Sequence, residues 1–145
     1  MPSAADAGSS FTLRIERSMT GLEQLGGWVD KVTASLGLGE SPEYALRLCL
    51  EEAAANVVMH GVAEAAADAD CVLLKVEPAA DALRVTVEDR CDAFDPLDVA
   101  APAPPINLED ARIGGLGIHL MRQYTKAMAY ARVDGANRLT LTIGR

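Results

Sequence analysis

LCLEEAAANVVMHG, residues 48–61, has an apolar helical pattern that carries two adjacent glutamates and an asparagine in its middle. Successive residues of an α-helix lie about 100° apart, so the leucine, alanine and valine side chains fall on one narrow stripe. Glu52, Asn56 and His60 recur at intervals of four along one edge of that stripe and face a common space. Glu51 falls on the opposite flank, where we expect solvent.

Two interpretations of Glu52 and Asn56 are open from the helix alone. The pair is either a polar helix edge with ordinary hydrogen bonds or part of a functional site. A carboxylate near apolar surface can have its pKa raised toward the working pH, which suits a general base. An asparagine one turn later offers a neutral oxygen that can serve as one Mg²⁺ ligand among waters and phosphate oxygens. His60 alone is more typical of a packed or capping histidine.

The length of the chain and the composition of its first residues limit the kinds of protein that it can be. A chain of 145 residues has the size of one domain and can bury a core without disulfide bonds. Residues 1–10 are small and polar and lack the features of a secretory signal, so we expect a flexible tail before a single domain over residues 11–145. No apolar run approaches the roughly 20 residues that cross a bilayer, which predicts a soluble, cytoplasmic protein without a membrane partner.

The net charge and the cysteines indicate which ligands and cross-links to expect. The formal net charge of −8 argues against direct binding to nucleic acid or anionic lipid, so a phosphate ligand must be held by local groups. The three cysteines, Cys49, Cys71 and Cys91, are an odd number with wide spacing that fits neither a disulfide framework nor a zinc site. We expect reduced thiols.

Hydrophobic periodicity predicts an α/β sandwich with a largely antiparallel sheet and helices on one face. The first helix is expected to begin at Thr20, in capping-box spacing with Glu23, and to end near Gly37. For the second helix the pattern indicates Ser41 as N-cap and Gly61 as stop. A strand at residues 11–19 precedes these two helices, and a hairpin of strands at 71–77 and 82–89 follows them. A long loop with four prolines is expected at 92–113. The chain then continues with a helix at 118–128 and ends with strands at 127–133 and 138–144, which are joined by the sequence DGAN.

Two further stretches carry polar groups at the ends of these elements. VTVEDRCDAFDP ends an apolar strand with Asp89 at its tip, although an acidic residue there is usually only a turn residue. RIGGLGIHLMRQY places Gly114, Gly115 and Gly117 before a helix, where backbone N–H groups and the helix dipole can receive phosphate. A glycine cluster is equally often a flexible connector, and this one is neither a Walker loop nor a Rossmann fingerprint.

Taken in order, the three stretches resemble the GHKL (Bergerat-fold) ATP-binding family, and most closely its anti-sigma-factor serine kinases. EAAAN is similar to the N box, DRCDAFDP to the adenine-binding box and RIGGLG to the second glycine box. The segment 92–113 corresponds to the variable lid between the last two boxes. The resemblance covers residues 11–143 and implies the Bergerat fold.

The resemblance also implies roles for the matched residues. Glu52 would be the general base that takes the proton from an attacking serine hydroxyl, and Asn56 would ligate Mg²⁺. Asp89 would accept a hydrogen bond from the adenine amino group, which distinguishes ATP from GTP. Close to the phosphates the expected nucleotide-binding residues are Gly114, Gly115 and Gly117, with Arg112 to offset the phosphate charge.

Cys91 departs from the family pattern, which has glycine where the backbone passes close to the base. A side chain there would narrow the pocket, and a cysteine would be strained if the backbone had a positive φ. Alternatively, Cys91 is a redox-sensitive thiol beside the nucleotide.

The function implied by the resemblance is that of a partner-switching regulator. Such a kinase uses Mg-ATP to phosphorylate a STAS-domain anti-anti-sigma protein, sequesters a sigma factor in its other complex, and commonly forms a homodimer. The alternative is a non-catalytic binding module that retains the fold and binds a sigma factor or another partner. Cys91 motivates this alternative.

Overall fold

The computed structural model describes residues 9–60, 71–98 and 116–145 of the chain. In these ranges a five-stranded antiparallel sheet and three helices form the expected α/β fold. The elements are, in chain order, β1 (Phe11–Glu16), α1 (Met19–Leu36), α2 (Glu40–His60), β2 (Cys71–Pro78), β3 (Ala82–Asp89), a 3₁₀ turn (Pro96–Asp98), α3 (Leu116–Tyr124), β4 (Ala127–Val133) and β5 (Ala136–Gly144).

The strands are ordered β1-β2-β3-β5-β4, so that β5 lies between β3 and β4. Asp134 and Gly135 form the turn between β4 and β5, with φ angles of 50° and 80°. Such a two-residue turn with both φ angles positive matches the right-handed twist of the strands. The turn is shorter than the four residues DGAN expected for it, because Ala136 and Asn137 already pair in β5. The register places Asn137 directly opposite Asp89 of β3.

One face of the sheet is buried and the other is open. In β2, for example, Val72, Leu74 and Val76 are fully buried, whereas Leu73 and Lys75 are not. The helices cover the buried face, and α2 contacts β2, β3 and β5. The predicted apolar stripe of α2 is confirmed, since its leucine and alanine members are buried. None of the three helices described is long and apolar enough to cross a bilayer.

The beginnings of the first two helices differ from the sequence prediction by one or two residues. Ser18, not Thr20, caps α1, because its hydroxyl accepts a hydrogen bond from the backbone N–H of Gly21 at 3.1 Å. Helix α2 begins at Glu40 rather than after Ser41, since the carbonyl of Gly39 already accepts the first helical hydrogen bond, from Glu43 at 3.0 Å. Both helices thus begin earlier than predicted.

The ends of the helices are partly as predicted. Gly37 ends α1 in the left-handed conformation with φ 62°, as expected for a glycine cap. Helix α3 ends at Tyr124, four residues before the predicted end, because Lys126 already donates its backbone N–H to Thr142 of β5 at 2.7 Å. Gly61, the expected stop of α2, lies outside the described residues. The expected tail is described only from residue 9 onward, and the domain limits remain a prediction.

Candidate functional site

A cavity of about 270 Å³ lies between the C-terminal half of α2, the buried face of the sheet and the segment that follows β3. Apolar side chains such as Val57, Val87 and Leu139 form most of its wall. Polar groups enter it at a few points, which is the usual composition of a small-molecule site. Of the predicted site residues, the fold brings Asn56, Asp89 and Cys91 together in this cavity.

Asp89 is held in one orientation at the end of β3. Its side chain is only 9% exposed. The Oδ1 atom accepts hydrogen bonds from the backbone N–H of Cys91 at 3.0 Å and from Nδ2 of Asn137 at 2.9 Å. The Cys91 thiol also forms a hydrogen bond to this carboxylate. A buried carboxylate that is bonded in this way is stabilised in place and presents an acceptor to the cavity.

Asn137 and Tyr130 line the same cavity and were missed by the sequence analysis. Asn137 bonds to Asp89 as well as to the segment that follows β3, and Tyr130 donates its hydroxyl to Oδ1 of Asn137 at 2.5 Å. The signal available in the sequence was a polar residue among the inward-facing apolar positions of the last strand. Asn137 was predicted to lie in the turn instead.

Cys91 does not carry the strain considered for it. Among the non-glycine residues described, Asp134 alone has a positive φ, so the backbone at Cys91 is ordinary. The side chain is 2% exposed and forms part of the cavity wall, and the cavity remains open beside it. Burial, followed by the charge of Asp89, raises the pKa of the Cys91 thiol to about 11. The thiol is therefore protonated at neutral pH, which argues against a redox-sensitive thiolate.

Glu52 lies one helical turn before Asn56 on α2 and is half-buried, outside the cavity wall. Burial and, to a smaller extent, the charge of the adjacent Glu51 raise the pKa of the Glu52 carboxyl above its usual 4.5. Within the described ranges no hydrogen bond or ion pair reaches this carboxylate. Glu51 is exposed, as predicted. Glu52 is thus a desolvated carboxylate that is ready to take up a proton.

Gly117, in the first turn of α3, faces Glu52. A Cβ atom at this glycine would collide with Oε2 of Glu52 and lie 3.3 Å from its Cδ. The glycine therefore makes room for the glutamate carboxylate. The sequence predicted only that Gly117 would let the helix approach the phosphates. The other residues predicted near the phosphates, Arg112, Gly114 and Gly115, lie outside the described residues.

The expected lid is described only as far as Asp98. This part contains the short 3₁₀ turn and no strand, in agreement with the prediction that residues 92–113 do not continue the sheet. Arg122 of α3 donates a hydrogen bond to the carbonyl of Leu97 at 2.9 Å, which attaches the turn to the helix. The side chain of His60 is not among the described parts.

The oxygen ligands that the protein offers near the cavity fit Mg²⁺ that is bound together with a nucleotide. No group of three histidine, cysteine, aspartate or glutamate side chains among the described residues is arranged to hold a metal ion by itself. The Asn56 side chain reaches the cavity and offers a single neutral oxygen. Mg²⁺ commonly takes only one or two protein ligands and completes its shell with phosphate oxygens and water. The apolar wall next to Asp89 likewise suits a flat base with a polar edge.

This arrangement of helix, sheet and cavity defines a class of protein. A sequence profile described as "Histidine kinase-like ATPase domain" matches residues 16–143. The chain belongs to this family, which confirms the GHKL membership indicated by the three sequence boxes.

Two particular proteins are similar to the chain. The serine/threonine-protein kinase BtrW of Bordetella bronchiseptica is 30% identical over 136 residues, which cover 92% of this chain and 94% of that protein. The crystal structure of the RsbU and RsbW domains of Rv1364c from Mycobacterium tuberculosis matches 94% of this chain with a TM-score of 0.65 and 16% identity. This chain spans 33% of that longer chain, and the likeness shows the fold.

Proposed function

We propose that this chain is an anti-sigma factor and a serine/threonine protein kinase that uses Mg-ATP to phosphorylate a STAS-domain anti-anti-sigma protein. The observation that carries the proposal is the cavity that contains Asp89 and Asn56, with Glu52 one helical turn away and its pKa raised by burial. The similarity to a serine/threonine-protein kinase over nearly the whole chain supports the same conclusion.

Asp89 and the apolar cavity wall would bind the adenine base. The Asp89 carboxylate accepts hydrogen bonds and would accept one from the adenine amino group. A base with an oxo group at that position would instead place a second acceptor oxygen against the carboxylate. Phe94 is 51% exposed at the cavity and would cover part of the base. Asn56 would contribute one oxygen to Mg²⁺, which when bound with ATP neutralises charge on the phosphoryl group.

Glu52 would act as the general base toward the hydroxyl group of the partner's serine or threonine. Its carboxylate would accept the hydroxyl proton as the oxygen attacks, and its raised pKa brings its basicity closer to that required at neutral pH. Gly117 would support this step by leaving room for the carboxylate. Positioning of this kind contributes much of the rate enhancement in phosphoryl transfer.

The chain would bind two different partners in turn. One is the STAS-domain substrate, and the other is a sigma factor, whose basic regions would suit a chain with a net charge of −8. We further propose that it acts in the cytoplasm, as a homodimer, without direct contact to nucleic acid. The non-catalytic binding module has less support, because Cys91 leaves the cavity open.

A phosphotransfer assay with matched glutamate variants tests the proposal. The chain is incubated with a STAS-domain partner and ATP labelled on the γ-phosphate, and transfer to a serine or threonine is measured. Loss of the general base in Glu52→Gln should lower the rate roughly 10²- to 10⁴-fold. The exposed neighbour provides the control, since Glu51→Gln should retain most of the activity.

Two results would contradict the proposal in different ways. No transfer by the wild-type chain, together with a stable complex with a sigma factor, would favour the non-catalytic binding module. Equal transfer by wild type and Glu52→Gln would retain the kinase but remove Glu52 from its mechanism.

A further inference from the structure

The Asn137 side chain lies at the centre of a hydrogen-bond network at one end of the cavity. It is 6% exposed and projects from β5 directly opposite Asp89. Its amide group bonds to the end of β3, to the segment of residues 91–94 and to Tyr130 of β4. One side chain thus joins three separate parts of the cavity wall.

The chemistry of its neighbours fixes the orientation of the Asn137 amide. Nδ2 donates to Oδ1 of Asp89 and to the carbonyl of Asp92, both at 2.9 Å, and to the carbonyl of Cys91 at 3.4 Å. Oδ1 accepts from the backbone N–H of Phe94 at 3.2 Å and from the Tyr130 hydroxyl. If the amide were rotated by half a turn, oxygen would face three acceptors and nitrogen would face the Phe94 N–H donor, with only the Tyr130 hydroxyl able to adapt by accepting.

Rotation of the Asp89 carboxylate would break this network. Its Oδ1 atom would lose the bonds from Asn137 and from the backbone N–H of Cys91. Hydrogen bonds to charged groups are stronger than neutral ones, and buried donors left without a partner carry a large penalty. The carboxylate is consequently held in one orientation relative to the cavity.

We propose that Asn137 is the positioning residue that sets the base selectivity of the cavity, by holding Asp89 so that it accepts from a 6-amino purine and rejects a 6-oxo purine. The inference rests on the proposed function, in which Asp89 binds adenine. Asn137 touches Asp89 rather than the base and acts through it. A site built around a fixed acceptor rejects a ligand that presents a second acceptor there.

Arg132 provides a matched control. Its Nη1 atom donates to the carbonyl of Cys91 at 2.8 Å, so it holds the same segment as Asn137 without a bond to Asp89. Removal of the Arg132 side chain loosens the segment and leaves the bond between Asn137 and Asp89 in place. The pair of variants therefore separates orientation of the carboxylate from general support of the cavity wall.

The experiment is a calorimetric titration of the full chain with ADP and with IDP, which differ at the 6-position of the base and share the same phosphates. Wild type should bind ADP more tightly. The ratio of the two dissociation constants should fall roughly 10-fold or more in Asn137→Ala, because an oriented hydrogen bond to a charged group is lost. Arg132→Ala should retain the ratio. A purely structural defect would weaken both ligands alike and leave the ratio unchanged.

Asn137→Asp is a second variant of nearly the same size, in case Asn137→Ala does not fold. Its carboxyl group would repel Asp89 at about pH 8 and lose the selectivity. At lower pH one of the two carboxyl groups should take up a proton, because two adjacent negative charges are disfavoured, and the shared proton would restore a hydrogen bond between them. Cys91, Asp92, Tyr130 and Arg132 also face this position, and none of them is changed in the variant.

The outcomes distinguish this inference from the function on which it rests. An unchanged ratio in Asn137→Ala or at every pH in Asn137→Asp, or an equal loss in Arg132→Ala, would overturn the role of Asn137 and leave adenine binding intact. If wild type binds neither ADP nor IDP, the proposed function fails and this inference fails with it.

Discussion

The two carboxylates of the site, Asp89 and Glu52, are held in opposite ways. Asp89 is buried and bonded to a backbone N–H, an amide and a thiol. Glu52 is half-buried, its carboxylate packs against Gly117, and no described residue forms a hydrogen bond to it. A carboxylate fixed by several donors is suited to permanent recognition, whereas one that is desolvated without donors is suited to proton transfer. The difference fits the roles proposed for them, recognition of the base by Asp89 and proton transfer by Glu52.

The largest effect is expected from Asp89→Asn, which tests whether Asp89 recognises the base. A ligand at 100 times its dissociation constant stabilises a folded protein by about 2.7 kcal/mol. Mg-ADP should therefore raise the unfolding midpoint of wild type, and Asp89→Asn should abolish the rise. The amide oxygen can keep the bonds from Asn137 and the backbone of Cys91, so that the amide NH₂ group faces the adenine amino group, donor against donor. The measurement is thermal unfolding with and without Mg-ADP.

Glu88→Gln is the matched control for that variant. Glu88 precedes Asp89 on β3, but its carboxylate lies on the open face of the sheet and accepts from Arg138 at 2.6 Å. The rise with Mg-ADP should persist in this variant. A full rise in Asp89→Asn would remove adenine from the position assigned to it and erase the distinction between the two carboxylates.

The next largest effect is expected from Gly117→Ala, which tests whether the position of the Glu52 carboxylate matters for phosphotransfer. The added methyl group would displace the Glu52 carboxylate, and the fold should tolerate this because the contact is with the far end of a flexible side chain. Phosphotransfer should fall roughly 10- to 100-fold, since small misplacements of a reacting group are costly. The unfolding midpoint should stay the same or rise, because alanine favours helix more than glycine does.

The control for this prediction is Gly26→Ala in α1, where an added Cβ has no neighbour within 4 Å. It should leave phosphotransfer unchanged. Wild-type activity in Gly117→Ala would show that the position of Glu52 is not critical.

The pH dependence of phosphotransfer sharpens the contrast further, with a smaller expected effect. Burial and then the charge of Glu51 raise the pKa of Glu52, so activity should fall on the acid side at a pH above the usual 4.5. Glu51→Gln removes the smaller cause and should move this acid limb to lower pH. The measurement is the pH profile of kcat at saturating Mg-ATP. An acid limb at the usual glutamate value would contradict the interpretation.

The same shift has a consequence for stability. Because the pKa of Glu52 is higher in the folded state, its contribution to stability decreases as pH rises from 4.5 through the folded-state pKa. Glu52→Gln should therefore be more stable than wild type above that window, and the gain should disappear below it. Thermal unfolding across this pH range measures the difference.

The smallest effect is expected from Cys91→Gly. The backbone at Cys91 has no positive φ, and the side chain forms only part of the cavity wall, so ADP affinity should change only a few-fold. In wild type the Cys91 thiol, with a pKa of about 11, should react slowly with thiol reagents at neutral pH. Titration with ADP and the rate of labelling check these two points. Rapid labelling of Cys91 would revive the redox alternative.

Features set by short-range geometry could be predicted from the sequence. Glu52 and Asn56 lie four residues apart, and helix geometry alone puts them on one edge. The strand alternation and the glycine end of α1 at Gly37 are also local, and all appear in the structure. The cap of α1 was predicted wrongly as Thr20, since serine and threonine both cap helices and the residue that does so here is Ser18.

The order of the elements and the helix edge that carries Glu52 and Asn56 could be read from the sequence, because they depend on neighbours within a few residues. The family could be recognised because its three short boxes occur in order along the chain. The hydrogen bond from Asn137 to the carboxylate of Asp89, 48 residues away, could not be read from the sequence, since it depends on the register of β3 and β5. The same holds for Gly117 against Glu52, where the packing of α3 on α2 creates the contact. Strand register and helix packing follow from the burial of the whole core, which no short stretch of sequence encodes.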